Sequence, residues 1–576
     1  MPVRSAAESA DTLESALARV QALQQKNWPS EVPRSVDYPA GTDGVVDYLR
    51  HWAAVKPDHP AIVFYGRTVT YAELDELTDR FAGWLATVGA QPGDRVGVHL
   101  PNCPQFTVAM MGILKAGAVH VPVNPLFREH ELRHELIDAG VTVLLTGDTS
   151  APLVEKVRAD TPVRHVATTN LADMLDAAPV PAAPFPHPSP EDSDWDVIVG
   201  ANRAPARPTD PHVLAALNYT GGTTGLPKGC EHTQWHMLYT AATAAVGDGM
   251  QPGTKDLRVV SFLPVFWIAG EDLGILCPLV NGGTAILLTR WDADAVLEVA
   301  ARHGATDMVG TVDNYLELLE HPGFDGAALA GLTNPKAVSF VTKLSPEIRA
   351  RWRDATGQTL REASYGMTET HTVDTFTLGF QDDDADLHSE PVFCGLPMPG
   401  TDIVLVDGDG RPVPIGEEGE ILLRSPSVLT GYFGRPDATA DAIVDGWLHT
   451  GDVGRFDERG ALHYLARAKE MIKINGMSVF PAEVEALLLM HPDVESAAVV
   501  PRPDARRGQV PAAFVTLAPG AQLTPDDAGA AGLRAWAAEN MAGYKVPEVT
   551  VLDALPMTAT GKVRKGDLFE RVQKES

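Results

Sequence analysis

From about Gly41 onward the chain alternates short β-branched runs with amphipathic stretches, and that rhythm narrows the choice of fold more than any other feature. "DRVGVHLPN", "AVHVPVN" and "VTVLLTGD" each read as a brief strand, and segments such as Glu129 to Asp138 carry helical periodicity. This is an α/β pattern. It is interrupted between Ala178 and Ser193 by "PVPAAPFPHPSPEDS", Pro-rich and polar, read as an exposed excursion, and it resumes at Val213. From Cys394 the rhythm changes to short strands with Gly and Pro turns ("GLPMPGTDIVLVDGDGRPVP", "EGEILLRSPS"), which predicts a smaller β-rich subdomain. Beyond Arg467 a compact strand-and-helix unit begins with "EMIKINGMSVFPAEVEALLLMHPDVESAAVV".

A chain of 576 residues is too long for one core. The expected division is an N-terminal arm and helix over 1–40, a main domain over 41–466 and a C-terminal domain over 467–576. The fold class is a multidomain α/β (α+β) one: a large N-terminal domain of two α/β subdomains plus the β-rich one, then a small α+β domain. The N-terminal "SADTLESALARVQALQQ" is expected to form a surface helix or frayed arm.

With 44% apolar and 21% charged residues, the composition is that of a soluble globular protein. A formal charge of −30 argues against non-specific binding to nucleic acid or an anionic membrane, since phosphate repels such a surface. The four cysteines, Cys103, Cys230, Cys277 and Cys394, lack the spacing of a metal knuckle or redox pair. No run is apolar and long enough for a signal peptide or a membrane span, so a reducing cytoplasm is the expected location.

The densest chemistry lies in "YTGGTTGLPKG", Tyr219 to Gly229, which follows the apolar "HVLAAL". Successive Gly and Thr amides form a concavity for anions, and hydroxyls and a lysine add donors and charge. Polyphosphate is the natural guest. The loop is not the ordinary phosphate-binding loop, which needs Gly-Lys followed by Ser or Thr; here Pro227 precedes Lys228 and Gly229 follows it.

The loop resembles the signature of the adenylate-forming superfamily, which includes acyl-CoA synthetases, luciferases and peptide-synthetase adenylation domains. Five further segments match that family in its order: "LKAGAVHVPVNP" (Leu114 to Pro125), "YGMTE" (Tyr365 to Glu369), "LHTGD" (Leu448 to Asp452), "ARAKEMIKINGMSVFPAEVE" (Ala466 to Glu485) and "PMTATGKVRK" (Pro556 to Lys565). The resemblance covers roughly residues 40 to 570. It implies a carboxylic acid–CoA ligase that uses ATP, Mg2+ and coenzyme A, passes through an acyl-adenylate and releases pyrophosphate and AMP. It also implies a small-molecule acid as partner, no nucleic acid, and a homodimer as the family's usual assembly.

Carried over residue by residue, the resemblance puts Thr220, Gly222, Thr223, Thr224 and Lys228 on the β and γ phosphates. Thr368 goes to the α-phosphate, Glu369 to the metal, Tyr365 to the nucleotide, and Asp452 and Arg467 to the ribose. Lys562 becomes the counter-charge between the attacking carboxylate and the phosphate. Joining two anions demands such positioning and neutralisation. A rotation about Lys469 would then withdraw Lys562 and bring up Lys473 and Gly476, where a pantetheine arm passes close to backbone.

Three positions depart from the family pattern. Phe340, Val341, Thr342 and Lys343 replace a small-residue loop against which adenine packs. Ala466 replaces a glycine, and Trp267 in "LPVFWIAGED" stands where many acyl-CoA synthetases have histidine. Trp267, Asn314, Phe340, Lys343 and Gly366 are the expected acyl pocket. The altered loop keeps a second reading open: an enzyme that accepts a preformed acyl-adenylate and performs only the transfer to coenzyme A. Trp267 cannot pair an ammonium by charge, which disfavours an amino-acid substrate. "HELRH" (His130 to His134) copies a zinc-protease pattern but reads as a polar helix face, and "QDDDAD" (Gln381 to Asp386) reads as a solvated acidic loop.

Overall fold

The computed structural model describes the chain outside residues 1–11, 177–178, 186–192, 206, 208–209, 221–226, 340–341, 389–391, 468–470, 475–476, 480, 505–506, 542, 544, 559–561 and 576. Gly222, Thr223, Thr224, Phe340, Val341, Lys469 and Gly476 therefore lie outside the described residues.

Two predominantly parallel sheets form the bulk of the molecule. One runs in the order Arg361–Glu362, Asn334–Val338, Asp307–Thr311, Arg258–Ser261, Thr284–Leu287, Pro60–Phe64, with Arg67–Thr70 antiparallel at its edge. The other runs His165–Thr169, Val141–Gly147, Arg95–His99, Val119–Pro122, Leu214–Tyr219, with Gly229–Thr233 antiparallel at the end. Thr284–Leu287 and Val119–Pro122 are buried at every position, as parallel strands covered on both faces must be. The helix Pro104–Lys115 is likewise buried all round. It meets the helix Tyr71–Thr87 so closely at Gly112 that a Cβ there would sit 2.7 Å from that of Phe81.

A third, antiparallel sheet orders Thr375–Phe376, Val392–Pro397, Leu462–Arg467, Trp447–Phe456, Glu418–Arg424 and Asp402–Val406, with Ile443–Val444 on Trp447–Phe456. This is the β-rich unit expected from Cys394 onward. A fourth sheet joins Met477–Val479, Ile472–Ile474, Gly508–Leu517 and Val494–Asp504, with Glu548–Val551 parallel to Gly508–Leu517. It has its own apolar core, including Ile472, Val484, Leu488, Val499 and Val515.

Of the two forms expected for the N-terminal segment, the structure shows the surface helix: Leu13–Lys26 buries Leu17 and Val20, and Gln21 Nε2 donates to Asp402 Oδ1 at 2.8 Å. Two other expectations change in detail. The Pro-rich stretch is anchored at its start, where the Val180 amide donates to the Tyr65 carbonyl at 2.9 Å and Phe185 stands edge-on to the Tyr65 ring. In the acidic run, Asp382 and Asp383 are exposed, but Asp386 is buried and accepts from Arg349 Nη1 at 2.7 Å and Nη2 at 2.6 Å. A bidentate guanidinium makes that burial tolerable. "HELRH" falls on the helix Glu129–Asp138, with His130 exposed and no metal-binding group of side chains among the described residues.

Candidate active site

The strands Leu214–Tyr219 and Gly229–Thr233 pair antiparallel, with Tyr219 opposite Gly229, so the glycine-rich loop is the tip of a hairpin. Its two ends are clasped. The Thr220 amide donates to the Lys228 carbonyl at 3.0 Å, and the Lys228 amide donates to Thr220 Oγ1 at 3.2 Å. Thr220 and Lys228 thus mark the mouth of the loop, with the Lys228 ammonium 3.9 Å from the centre of the Tyr432 ring.

Tyr432 has no counterpart among the residues expected from sequence. Its segment runs beside the strand Gly229–Thr233, where the Glu231 amide donates to the Gly431 carbonyl at 2.9 Å and Phe433 donates to Gly229 at 2.9 Å. Its hydroxyl donates to Glu369 Oε1 at 2.8 Å. Burial, and then the Glu369 charge, push the Tyr432 pKa up, so the phenol stays protonated and donates.

Glu369 and Thr368 lie on the short turn Thr368–Thr370, within the hairpin whose two-residue strands pair Gly366 with Val373 and Met367 with Thr372. At Gly366 a Cβ would stand 1.6 Å from the Thr372 carbonyl oxygen, so only glycine fits there. His371 and Thr372 both take positive φ, 56° and 86°, which bends the chain back under Thr368. The Thr368 carbonyl accepts from the His371 amide at 3.1 Å and from His232 Nε2 at 2.9 Å.

The third group forms on the antiparallel sheet, where Asp452 and Arg467 are register partners. Arg467 Nε lies 2.9 Å from Asp452 Oδ1, and the Tyr365 hydroxyl donates to Asp452 Oδ2 at 2.6 Å. Burial opposes the Arg467 charge, but Asp452 and its neighbours more than restore it and leave its pKa raised. Lys562 stands at a turn whose flanks, Met557 and Val563, bridge antiparallel; its amide donates to Thr558 Oγ1 at 3.0 Å. The side chain reaches solvent, yet the surrounding protein and then Arg467 lower its pKa while Asp452 opposes them. The Arg467 and Asp452 charges thus act on the Lys562 ammonium. Lys473 pairs with Ser478 by backbone register, on the strand Ile472–Ile474.

Around the expected acyl pocket, Trp267, Ile268, Ala269 and Leu273 are half-buried, while Gly270, Glu271 and Asp272 between them are buried. The partly open face is apolar. Asn314 Oδ1 accepts from the Thr311 amide at 2.8 Å, in the capping box of the helix Val312–Glu320. Lys343 Nζ donates to the Ser339 carbonyl at 3.0 Å, and burial lowers its pKa despite Glu485 and Glu362. Ser339 in turn donates from amide and hydroxyl to Glu362, at 3.0 and 2.6 Å, and burial pushes that carboxyl up to about 7. The loop that departs from the family pattern is thus fastened to its neighbours at both described ends.

The residues suit a magnesium ion bound with substrate phosphates. Glu369 offers a half-buried carboxylate whose second oxygen receives no hydrogen bond from a described residue, across Tyr432 from the loop lysine.

Comparison with known proteins follows the same lines. A family model described as AMP-binding enzyme matches residues 49–433, and one described as AMP-binding enzyme C-terminal domain matches residues 483–562. The long-chain-fatty-acid–CoA ligase of Yersinia pestis is 32% identical over 562 residues, covering 94% of this chain and 97% of that protein. The feruloyl-CoA synthase of an Amycolatopsis species is 34% identical over 520 residues, covering 90% and 97%. The crystal structure of ATP-bound MatB from Rhodopseudomonas palustris aligns with a TM-score of 0.79 at 26% identity, over 93% of this chain and 100% of that one.

Proposed function

The chain belongs to the AMP-binding enzyme family and is an AMP-forming carboxylic acid–CoA ligase; on that premise we propose that it runs both half-reactions at one site, on an acid whose acyl group is apolar. The observation that carries the reading is Tyr432, whose hydroxyl donates to Glu369 Oε1 at 2.8 Å while the Lys228 ammonium lies 3.9 Å from the centre of its ring. A carboxylate suited to magnesium beside a lysine of the phosphate loop serves the departure of pyrophosphate, which only the adenylating step needs. That arrangement supports the complete ligase over transfer from a preformed adenylate.

In this reading the loop from Thr220 through Gly222, Thr223 and Thr224 to Lys228 takes the β and γ phosphates, and the Thr368 hydroxyl takes the α-phosphate. Asp452 and Arg467 hold the ribose, and Tyr365, buttressing Asp452, borders the nucleotide. Glu369 holds the magnesium ion, which supplies charge neutralisation on the leaving pyrophosphate. The acyl group lies along Trp267, Ala269 and Leu273, whose apolar face supports a fatty or aryl acid; the named relatives act on long-chain fatty acids and ferulate. The lobe from 467 onward then turns at Lys469 and presents Lys473 and Gly476 to the thiol arm. Four buried cysteines in the free state suit a reducing cytoplasm.

The test is pyrophosphate release from ATP and magnesium with a panel of fatty, cyclic and aryl acids. Lys562→Ala is expected to lose roughly 10²- to 10³-fold in this step while still converting supplied acyl-adenylate and coenzyme A to thioester. A wild-type protein that releases no pyrophosphate with any acid, yet makes thioester from the adenylate, would establish the transfer-only reading instead.

A further inference from the structure

Behind the Thr368–Thr370 turn lies a cluster of ionisable side chains that none of the assigned roles uses. His120, His232, His371, Glu271 and Asp272 are all 0% exposed, with Asn218 at 2% and His236 at 6%. They come from separate elements: His120 from Val119–Pro122, Asn218 from Leu214–Tyr219, His232 from Gly229–Thr233, His236 from the helix Gln234–Gly247, and Glu271 from Ile268–Glu271. Asp272 opens a π-helical turn, Asp272–Leu276. Glu271 lies 3.3 Å from His120 Nε2 and accepts from Asn218 Nδ2 at 3.4 Å. The rings of His232 and His371 meet edge to face at 4.9 Å, and Asp272 is 3.9 Å from His371 Nδ1.

We propose that His232 is a positioning residue for the adenylating step: its Nε2–H holds the Thr368 carbonyl and so fixes the threonine hydroxyl and Glu369 carboxylate toward the nucleotide. The proposal rests on the ligase reading above. A carbonyl oxygen can only accept, so the proton of the imidazole sits on Nε2 and leaves Nδ1 bare, 3.3 Å from His236 Nδ1, which itself accepts from the Thr233 amide. Burial, then the facing His371 and His236, keep His232 neutral and so restrict it to that single proton. The second donor to the same carbonyl is the amide of His371, whose φ of 56° turns it inward. Two donors from different elements fix the orientation of one peptide unit, where one would leave it free to rock. An apolar side chain would fill the same space with no polar group to satisfy, and a fully apolar replacement of such a cluster is often neutral or stabilising. Polarity here serves placement more than stability.

The experiment compares His232→Gln and His232→Asn in the full-length protein, with His232→Leu as the deletion. Glutamine carries an amide N–H at the reach of the imidazole Nε2, and asparagine reaches only as far as Nδ1. Pyrophosphate release should fall roughly 10- to 100-fold in kcat for the Asn and Leu variants, with KM for the acid little changed, and return to within a few-fold of wild type for Gln. Thioester formation from supplied acyl-adenylate and coenzyme A, which has no pyrophosphate to release and so does not call on Glu369, should fall by less than pyrophosphate release in the Asn and Leu variants. Equal pyrophosphate release by Gln and Asn, or parallel loss of both half-reactions, would overturn the positioning role even if the Leu variant failed to fold. A wild type silent in pyrophosphate release would refute the ligase reading itself, a separate outcome from active variants that do not differ.

Discussion

Tyr432 donates its hydroxyl to Glu369 Oε1 at 2.8 Å while Lys228 Nζ lies 3.9 Å from the centre of its ring, so one phenol spaces the loop lysine from the carboxylate proposed to hold magnesium. Tyr432→Phe removes only the hydroxyl. It is expected to raise KM for ATP about 10-fold at limiting magnesium, the scale of a hydrogen bond to a charged group. Tyr432→Leu also removes the cation–π contact and should lose several-fold more. Pyrophosphate release titrated against magnesium and ATP checks both; an unchanged KM in Tyr432→Phe would remove Tyr432 from the site.

Gly366→Ala places a Cβ 1.6 Å from the Thr372 carbonyl oxygen, a backbone atom that cannot swing aside. The hairpin must open, and Thr368 and Glu369 move with it. Adenylation should fall by more than about 100-fold, as for a misplacement of about 1 Å at a reacting centre. Circular dichroism and pyrophosphate release on one preparation distinguish this from global unfolding, and near-normal activity would contradict the close approach.

The buried histidines make stability depend on acid. Burial lowers His371 from 6.5 to about 4 and His236 from 6.5 to about 3. Between about pH 4 and 6.5 the unfolded chain binds protons that the folded one refuses, so these groups stabilise above pH 6.5 and that stability is lost as the pH falls. Each contributes a slope of about 1.4 kcal/mol per pH unit within its window. Asp272 and Asp374, whose carboxyls burial raises, act in the opposite sense. The variant comparison is therefore the readout: His371→Asn, which tolerates positive φ, should flatten the pH dependence of the unfolding free energy by about one proton. Urea titrations at pH 5, 6 and 7 that gave the wild-type slope would refute the assignment.

Arg349 is 0% exposed and Asp386 2%, and they are joined by two hydrogen bonds, with the guanidinium also at 2.9 Å from Asp384. Asp386→Ala strands a buried charge and should destabilise the fold by about 3–5 kcal/mol in chemical denaturation. Asp382→Ala, four residues away and exposed, should change it by less than about 0.5 kcal/mol. Equal effects would return the whole run to solvent.

Much of the architecture and part of the site were legible in the sequence. β-branched runs bounded by turn residues marked strands such as Val141–Gly147 because a strand's side-chain period and its buried environment are local properties. The glycine-rich segment stood out for a similar reason, since Gly and Thr concentrated between two apolar runs mark a turn, and Leu214–Tyr219 and Gly229–Thr233 do pair on either side of it. Thr368, Glu369, Asp452, Arg467 and Lys562 came from a resemblance carried by contiguous motifs. By contrast, the acidic run looked solvated because its partner Arg349 lies on a separate helix, and the sequence left the N-terminal segment open between surface helix and frayed arm because its partner Asp402 is far along the chain.

Local order, then, was determined by the sequence alone: where along the chain strands alternate with helices, and where short strands with Gly and Pro turns take over. Tertiary structure alone decided that Tyr432 stands between Lys228 and Glu369, that His232 reaches the Thr368 carbonyl, and that Arg349 closes on Asp386. The physical reason is range. Propensity and periodicity act within a few residues, whereas a charge, a carbonyl and a ring meet only after sheets built from distant segments have packed against each other, and no short window of sequence carries that distance.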